Sequence, residues 1–382
     1  MNNRTALFAL LLGLTAAPAL ASTQPPAPPP APEAAAAPGP PAVGTYIVHA
    51  IDVGTGLSIF VEGNDFALLY DAGSREDFGG GRENRVLAYL RRIRPDLRRL
   101  DHVILSHPHQ DHHEMMDSVL DTYEVGHVWD SGSVATSCGY RAFLDAVLAE
   151  PGVVYHNAAG GPGTHSVRFA AARSCHGRSR PAATLAIPLG GQLSRGLQVA
   201  LGAGARMTFL RADPHAPPGD LNEATVVARL DLGTRRVLLA GDAEAGGRLA
   251  PSTPPSPGSA EGELLACCAS GLAADILVVA HHGSMSSSRT AFLDAVRAQH
   301  FVISSGPYKY GSNRIVLPDA AVVTELRRRG TVWRTDDDDR ACARNPRKIG
   351  RDNDGRPGGC DNVRIVIAPT GTVSPAYNRI AD

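Results

Sequence analysis

The segment His107–His112, with the sequence H-P-H-Q-D-H, places three histidines and one aspartate within six residues. It follows the apolar run Val103–Leu105 after one serine, and this run predicts a buried strand that ends just before the segment begins. Imidazole and carboxylate groups are ligands of zinc and of other divalent ions. Because this set exceeds what one tetrahedral ion usually takes from so short a stretch, the segment predicts a loop that binds two metal ions.

Two further apolar runs end in residues of the same ligand types. Arg236–Ala240 is followed after one glycine by Asp242, and Asp275–Ala280 is followed by His281 and His282. Runs of this length are typical of strands buried on both faces. Taken singly, Asp242 also suits a turn and His282 the start of a helix. Together with the first segment they predict one metal centre at a sheet edge, where paired ions generate a nucleophile at neutral pH and favour hydrolysis.

These motifs resemble those of the metallo-β-lactamase fold superfamily, and in particular the extracytoplasmic hydrolase-like domain of ComEC-type DNA-uptake channels. The likeness runs from roughly Thr45 to Asp336 and is carried by five segments: His49–Gly56, Leu68–Gly73, His107–His112, Leu239–Glu244 and His281–Ser284. The H-x-H-x-D-H and H-H-G-S motifs in this order are specific, whereas the D-V-G and D-A-G pieces alone are weak signals. The resemblance implies an α/β (α+β) fold, the four-layer αββα sandwich. It also implies a metal-dependent hydrolase with two divalent ions, zinc being expected and manganese or iron the alternatives.

The resemblance also implies how the ligands are shared between the two ions. His107 and His109 would hold the first ion, Asp111 and His112 the second, and Asp242 would bridge them. In related hydrolases the residue matching Asp111 also orients the nucleophile or moves its proton, so Asp111 is the predicted catalytic residue. Asp71 ends a predicted strand beside a glycine, and we interpret it as a structural carboxylate near the loop.

By the same resemblance, the pair His281-His282 would supply the last ligand of the second ion. His282 is preferred because the single ligand at this point of the family is followed by a small or polar residue, as Gly283 follows it here. His281 is the alternative. The usual third histidine of the first site has no evident counterpart, and the candidates for its place are Asp220, which belongs to a D-x-N piece similar to one in the DNA-uptake domains, and then His215.

Substrate-binding residues are predicted from two glycine-containing segments. Ser284 follows the histidine pair, and Lys309 and Tyr310 lie in a loop after a predicted strand. Lys309 is one of two lysines in the chain, so a phosphate site and a plain surface loop are both compatible with this segment.

The first residues have the organisation of a secretory signal. Asn2–Arg4 supply a basic region, Ala6–Leu14 an apolar region, and Ala19–Ala21 a cleavage site of the A-x-A type, so residues 1–21 are predicted to be removed. We therefore expect an exported protein, periplasmic or secreted. No later segment has the length and apolar character of a membrane span.

A Pro/Ala-rich linker over residues 22–43 precedes one domain, residues 44–382, whose part 336–362 is predicted to be rich in loops. The domain contains strand-heavy halves with helices between them, which predicts two packed sheets with helices outside. Residues 157–206 have weak periodicity and receive no assignment, and Ala250–Gly262 is predicted to be a Pro/Ser/Gly loop that forms a lid or a rim.

The chain has six cysteines, an even number that suits an oxidising compartment. The favoured disulfide is Cys342–Cys360, because these residues bracket an irregular loop whose closure contributes about 3 kcal/mol. The second predicted pair is Cys138–Cys175. The adjacent residues Cys267–Cys268 either form a vicinal bond or stay reduced.

Three functions are compatible with this sequence. The first is a phosphodiesterase or nuclease-like hydrolase acting on a small phosphoester or an oligonucleotide, and the second is a hydrolase of a small ester, lactone or β-lactam. The third is a non-catalytic, metal-bearing binding module of the envelope. A formal net charge of −1 without a basic cluster argues against a strong nucleic-acid-binding surface. The oligomeric state stays open.

Overall fold

The computed structural model describes Met1 and residues 39–75, 84–160, 163–175, 178–215, 220–306, 309–310, 315–336 and 361–378. All elements below belong to the unit Pro38–Asp382. Apart from Met1, the predicted signal segment lies outside the described residues, as does most of the predicted linker.

Most described residues of this unit lie in β-strands or α-helices. In chain order the strands are β1 (Tyr46–Ala50), β2 (Ile59–Glu62), β3 (Ala67–Tyr70), β4 (Arg99–Leu105), β5 (Glu124–Asp130), β6 (Val154–Asn157), β7 (Thr164–Phe169), β8 (Ala172–Cys175), β9 (Arg178–Arg180), β10 (Ala183–Gln192), β11 (Gln198–Gly202), β12 (Ala205–Arg211), β13 (Val227–Leu232), β14 (Arg235–Leu239), β15 (Ile276–Val278), β16 (His300–Ile303), β17 (Lys309–Tyr310), β18 (Ile315–Val316), β19 (Thr331–Arg334), β20 (Val363–Ile367) and β21 (Val373–Tyr377). The α-helices are α1 (Arg85–Ile93), α2 (Gln110–His113), α3 (Met116–Leu120), α4 (Cys138–Ala149), α5 (Ala260–Cys268), α6 (Thr290–Val296) and α7 (Ala320–Arg327).

Two large sheets organise the fold. The first has the order β21-β20-β1-β2-β3-β4-β5-β6-β10-β7, and the second has the order β11-β12-β13-β14-β15-β16-β19. Strands β3 to β6 pair in parallel, as do β14, β15, β16 and β19. The carboxyl ends of neighbouring parallel strands therefore share one edge in each sheet, and these are the ends at which the predicted ligands stand.

Three apolar cores separate four layers. One core packs α1, α3 and α4 against the first sheet, one lies between the two sheets, and one packs α5, α6 and α7 against the second sheet. Strand β4 shows why, because Val103 and Leu105 enter the helix-side core while Ile104 enters the core between the sheets. The predicted α/β class and αββα sandwich are confirmed.

Two segments differ from the sequence-based expectations. The unassigned residues 157–206 contain β7 to β11, and β7 alternates strictly between exposed and buried positions. The predicted rim loop Ala250–Gly262 was wrong at its end, because α5 begins at Ala260. The side chain of Ser259 accepts a hydrogen bond from the Gly262 amide, and two glutamates occupy the first turn, which favours a helix start despite the glycine.

Disulfides join cysteines at two places. Cys138, the first residue of α4, is bonded to Cys175 at the end of β8, which is the second of the two predicted pairs. Cys267 is bonded to Cys268 at the end of α5. The favoured pair Cys342–Cys360 lies outside the described residues. Across the part of the chain that the structure describes, no helix combines the length and apolar character needed to cross a membrane.

Candidate metal centre

The H-x-H-x-D-H loop leaves β4 and is anchored to the end of β3 by Asp71. The Asp71 carboxylate accepts hydrogen bonds from the amide of Ser106 at 2.7 Å, from its hydroxyl at 2.7 Å and from Nδ1 of His112 at 2.8 Å. Asp71 has a φ of 58°, a left-handed backbone that an aspartate tolerates better than most residues. The fully buried carboxylate of Asp71 therefore fixes the loop and the ring of His112, so that the Nε2 atom of His112 faces Asp242.

Asp242 follows β14 and stands at the middle of the cluster. One carboxylate oxygen, Oδ1, lies 3.3 Å from Nε2 of His112 and 3.7 Å from Nε2 of His282. The other, Oδ2, lies 3.7 Å from Nε2 of His107. Burial alone would raise the pKa of Asp242, but His112 and His282 hold it well below its usual range. An ionised carboxylate with each oxygen facing different histidines has the geometry that the predicted bridging role requires.

Two groups of side chains converge closely enough to hold an ion. His107, His112 and Asp242 place their ligand atoms within 4.8 Å of one another, and so do Asp111, His112 and His282. All five side chains are buried. Nδ1 of His109 lies 3.0 Å from Nε2 of His107, so His109 adjoins the first group. The structure thus brings together all six residues of the predicted ligand set.

The buried atoms of this centre fit a divalent metal. Among the described residues, Nε2 of His112, Nε2 of His282 and Oδ1 of Asp242 have no hydrogen-bond partner although they are shielded from water. Unpaired buried polar atoms are costly, and here Oδ1 of Asp242 lies 3.3 and 3.7 Å from the two ring nitrogens. The opposite nitrogens are occupied, because Nδ1 of His282 lies 2.8 Å from the carbonyl oxygen of Ser304 and Nδ1 of His112 faces Asp71. This arrangement leaves each Nε2 lone pair for a metal.

The electrostatics of the histidines follow from burial and from their crowding. Burial lowers the pKa of His107 well below its usual value, and the neighbouring His112 lowers it further. Burial also lowers the pKa of His282. For Asp111, burial would raise the pKa, but His112 and His282 bring it below the usual value. For His112, burial would lower the pKa, but Asp242 and Asp71 raise it well above the usual value. Because histidine binds metal as the neutral imidazole, an ion held by His112 would displace a proton from its ring.

His281 and His282 both face Asp242, although the sequence treated them as alternatives. Their φ angles are 49° and 53°, so two consecutive residues have left-handed backbone, a strained conformation that clusters at functional sites. Nε2 of His281 lies 3.8 Å from Oδ2 of Asp242, whereas His282 faces Oδ1. Nδ1 of His281 lies 2.9 Å from Oε1 of Glu244. Sequence reasoning assigned no role to Glu244, whose signal was its place two residues after Asp242.

The two residues suggested as a third ligand of the first ion lie elsewhere. Asp220 converges with Glu223 and Glu244 in a separate acidic group. Burial raises the pKa of Asp220, and the nearby Glu244 raises it further. His215 is exposed, and its amide donates to the Asp213 side chain. Neither residue joins the ligand groups described above.

A cleft of about 510 Å³ opens over the centre. Asp111, Asp242 and His281 line it, as do the predicted substrate-binding residues Ser284 and Tyr310. The ring of Tyr310 stacks on the predicted ligand His282 with 4.5 Å between centroids. For Lys309, the third predicted substrate-binding residue, the structure describes the backbone in β17 and not the side chain.

Two arginines also line this cleft, Arg75 and Arg248. Arg248 donates to the hydroxyl of Ser284 at 2.9 Å and to both carboxylate oxygens of Asp319 at 2.7 and 2.8 Å. The paired contacts with Asp319 fix the guanidinium at the cleft wall. The cleft is therefore lined by predicted metal ligands and by two guanidinium groups, of which that of Arg248 is paired with Asp319.

Residues 51–113 match the model of the metallo-beta-lactamase superfamily. This stretch contains β2, β3 and β4 together with the whole H-x-H-x-D-H loop, so the match covers the segment that supplies four of the predicted metal ligands. The finer resemblance to the hydrolase-like domain of ComEC-type channels stays a prediction.

The chain is also similar to an uncharacterized protein, YcaI, of Escherichia coli strain K12, with 24% identity over 288 residues. The alignment covers 75% of this chain, and the chain spans 28% of the length of that relative.

Among solved structures, one similar protein is the metallo-beta-lactamase fold protein YhfI from Bacillus subtilis, with 12% identity, a TM-score of 0.40, and coverage of 76% of this chain and 97% of that one. Igni18, a metallo hydrolase from Ignicoccus hospitalis, has 11% identity, a TM-score of 0.40, and coverage of 76% and 95%. CmlA, a diiron beta-hydroxylase from Streptomyces venezuelae, has 16% identity, a TM-score of 0.40, and coverage of 76% and 53%. At these TM-scores the fold assignment rests on the layers and strand order described above.

Proposed function

We infer that this protein is a metal-dependent hydrolase that cleaves phosphodiesters in the cleft above Asp242. One observation carries the metal dependence: three buried ligand atoms without hydrogen-bond partners, on His112, His282 and Asp242, face one another. A site built only for stability would pair such atoms, because leaving them unpaired costs free energy. Ions bound by these groups would supply Lewis-acid polarisation and a nucleophile at neutral pH.

The residues of the chain have separate tasks in this proposal. His112 and His282 would hold the ions through Nε2. Asp71 and Ser304 contact the other ring nitrogen, Nδ1, of these histidines and so fix the orientation of each ring. Asp111 is a ligand that also lines the cleft, so its carboxylate is available to orient the nucleophile and to accept its proton. Zinc suits the histidine-rich donor set, with manganese and iron as the other ions to be tested.

The cleft walls favour an anionic substrate. Arg75 and Arg248 line the opening, and the hydroxyl of Ser284 accepts a hydrogen bond from Arg248. Guanidinium groups bind phosphate oxygens well, whereas a neutral lactone or lactam gains little from them. A small phosphodiester or the end of a short oligonucleotide fits this arrangement better than a long nucleic acid, because the chain as a whole carries a net charge of −1.

Export to an oxidising compartment is part of the proposal. It is supported by the signal-like sequence at residues 1–21 and by the bonded pairs Cys138–Cys175 and Cys267–Cys268, since stable disulfides are rare in reducing compartments. Intact mass of the protein recovered from the periplasm or medium is expected to begin at Ser22. A mass that retains residues 1–21 would contradict cleavage of the signal.

The activity is tested on residues 22–382 loaded separately with zinc, manganese or iron. We expect metal-dependent cleavage of bis-p-nitrophenyl phosphate or of a short single-stranded oligonucleotide, abolished by a chelator and by Asp242→Ala. The control is His300→Ala. His300 begins β16, and Ser304, which contacts the predicted ligand His282, follows the opposite end of that strand, so His300 lies away from the metal centre. If the loaded protein opens lactones or β-lactams and leaves phosphodiesters intact, the substrate class is wrong. If it binds metal and cleaves none of these substrates, the non-catalytic binding module is the better description.

A further inference from the structure

The sequence motifs supply no third histidine for the first metal site, and the structure places a histidine next to the carboxylate oxygen of Asp242 that His107 also faces. Oδ2 of Asp242 has Nε2 of His107 at 3.7 Å on one side and Nε2 of His281 at 3.8 Å. Ligand atoms about 2.1 Å from one ion lie roughly 3 to 4 Å from one another. Both separations are in this range, and His281 and His109 both line the cleft.

The tautomer of His281 is set in the same way as that of the other histidines. Nδ1 of His112 faces Asp71, and Nδ1 of His282 faces a backbone carbonyl oxygen. Nδ1 of His281 faces Oε1 of Glu244 at 2.9 Å, with the hydroxyl of Ser286 at 2.8 Å. A carboxylate beside Nδ1 keeps the proton there and leaves Nε2 as an acceptor, which is the arrangement of histidine ligands in metal sites.

Glu244 is itself held in place by its neighbours. Its Oε1 accepts a hydrogen bond from Nδ2 of Asn222 at 2.9 Å and one from the hydroxyl of Ser286 at 3.2 Å. The same Asn222 amide lies 3.4 Å from Nε2 of His281, a longer contact than the one it makes with Glu244. Asn222 and Ser286 therefore fix the carboxylate, and the carboxylate fixes the ring.

The backbone explains how two adjacent histidines serve different oxygens of one carboxylate. In a strand or helix, side chains at consecutive positions point to different sides, and here the left-handed turn at His281 and His282 brings both rings towards Asp242. Gly283 continues the turn with a φ of 77°. Asp220, the residue that the sequence favoured, contributes instead to the acidic group with Glu223.

We propose that His281 is the third histidine ligand of the first metal ion, and that Glu244 is the positioning residue that sets its tautomer. This assignment rests on the proposed function, because it requires that the centre binds metal. It gives each of the two adjacent histidines a separate ion: His281 with His107 and His109, and His282 with Asp111 and His112.

Zinc stoichiometry and affinity test the assignment without reference to activity. Metal-free protein, residues 22–382, is titrated with zinc against a chromophoric chelator, and bound ions are counted by elemental analysis. We expect two ions in the wild type and one in His281→Ala. Glu244→Gln keeps the size of the side chain and is expected to bind the first ion 10- to 100-fold more weakly.

Two further variants make the result specific. His282→Ala is expected to lose the other ion, so that the double variant His281→Ala/His282→Ala binds none, while His300→Ala keeps wild-type binding. Circular dichroism checks that each variant is folded. If His281→Ala does not fold, the zinc affinity of Glu244→Gln tests the assignment instead.

The outcomes separate the two proposals. Wild-type zinc stoichiometry and affinity in both His281→Ala and Glu244→Gln would overturn the assignment and leave the His281–Glu244 pair to act on the substrate instead. A wild-type protein that binds no zinc, manganese or iron would overturn the proposed function together with this inference.

Discussion

Nδ1 of His112 lies 2.8 Å from Oδ2 of Asp71, and this contact joins the end of β3 to the metal loop after β4. The same carboxylate oxygen accepts a hydrogen bond from the hydroxyl of Ser106, and both Asp71 and His112 are fully buried. The metal centre is therefore held by a residue that does not itself face the cleft.

Replacing Asp71 with asparagine is expected to weaken zinc binding 10- to 100-fold, because partners of this kind orient the ring and increase its basicity. Asparagine tolerates the left-handed backbone at this position, so the fold is retained. Competition titration of zinc measures the change. The matched control is Asp294→Asn, since Asp294 is 62% exposed and pairs with Arg329 on the surface. An affinity equal to that of the wild type would show that Asp71 has no influence on the ion.

Arg248 is expected to contribute to substrate binding through charge. Arg248→Ala removes one guanidinium from the cleft wall and is expected to lower kcat/KM for a phosphodiester roughly tenfold, a loss of about 1 to 2 kcal/mol. Hydrolysis of a neutral ester by the same variant should change little. The control is Arg236→Ala, because Arg236 is about half exposed on β14 and lies outside the cleft lining. Equal losses on charged and neutral substrates would point to a structural role.

Glu261 is expected to stabilise the cleft rim. Its fully buried carboxyl accepts hydrogen bonds from the amides of Ser288 and Arg289, and the Arg289 guanidinium donates to carbonyl oxygens of the rim, those of Gly247, Leu249 and Ala250. Glu261→Ala leaves these amides unpaired and should lower the free energy of unfolding by about 2 to 4 kcal/mol.

Burial raises the pKa of Glu261 to about 8, so the neutral variant Glu261→Gln should cost less than Glu261→Ala. Urea unfolding of the metal-free protein measures both changes. Glu263, on the same helix and 44% exposed, supplies the control Glu263→Ala, which should change stability by less than about 1 kcal/mol. If the two alanine variants lose the same stability, the buried acceptor has no special role.

Stability is expected to fall in mildly acidic solution because of a histidine group on β4, β5 and β6. Burial lowers the pKa of His102 to about 4 and that of His156 to about 4, and the ring of His127 lies between them. The unfolded chain takes up protons near pH 6.5, whereas the folded protein does so near pH 4. The contribution of this group to the free energy of unfolding should therefore be constant above about pH 7 and decrease from about pH 6.5 to pH 4.

For His102, which is 5% exposed, this loss is on the order of 3 kcal/mol. Urea unfolding of metal-free protein at several pH values measures it. His102→Gln should reduce the slope between pH 6.5 and pH 4, whereas the exposed His215→Gln should leave it unchanged. A slope in His102→Gln equal to that of the wild type would contradict the assignment of this loss to His102.

The types of ligand in the centre could be predicted from the sequence because each ligand belongs to a short segment with a recognisable pattern. The histidines and aspartate of residues 107–112, Asp242 and His282 each follow an apolar run, and such runs form buried strands in many contexts. The parallel arrangement then places the strand ends at a common edge. The four layers were predictable for a related reason, since strand-rich halves with intervening helices have few ways to bury their apolar faces.

Long-range contacts decided the rest. The sequence offered His281 and His282 as alternatives, and only a left-handed turn beside Asp242 and the carboxylate of Glu244 gives the two rings different positions. Asp71 and His112 are 41 residues apart in the chain, so no local sequence pattern predicts their hydrogen bond. In residues 157–206, strand β7 alternates between buried and exposed positions, so its sequence contains few consecutive apolar residues from which a strand could be predicted. Residue types and strand ends determine which ligands are present, whereas packing and backbone conformation determine which atom each ligand presents to the ion.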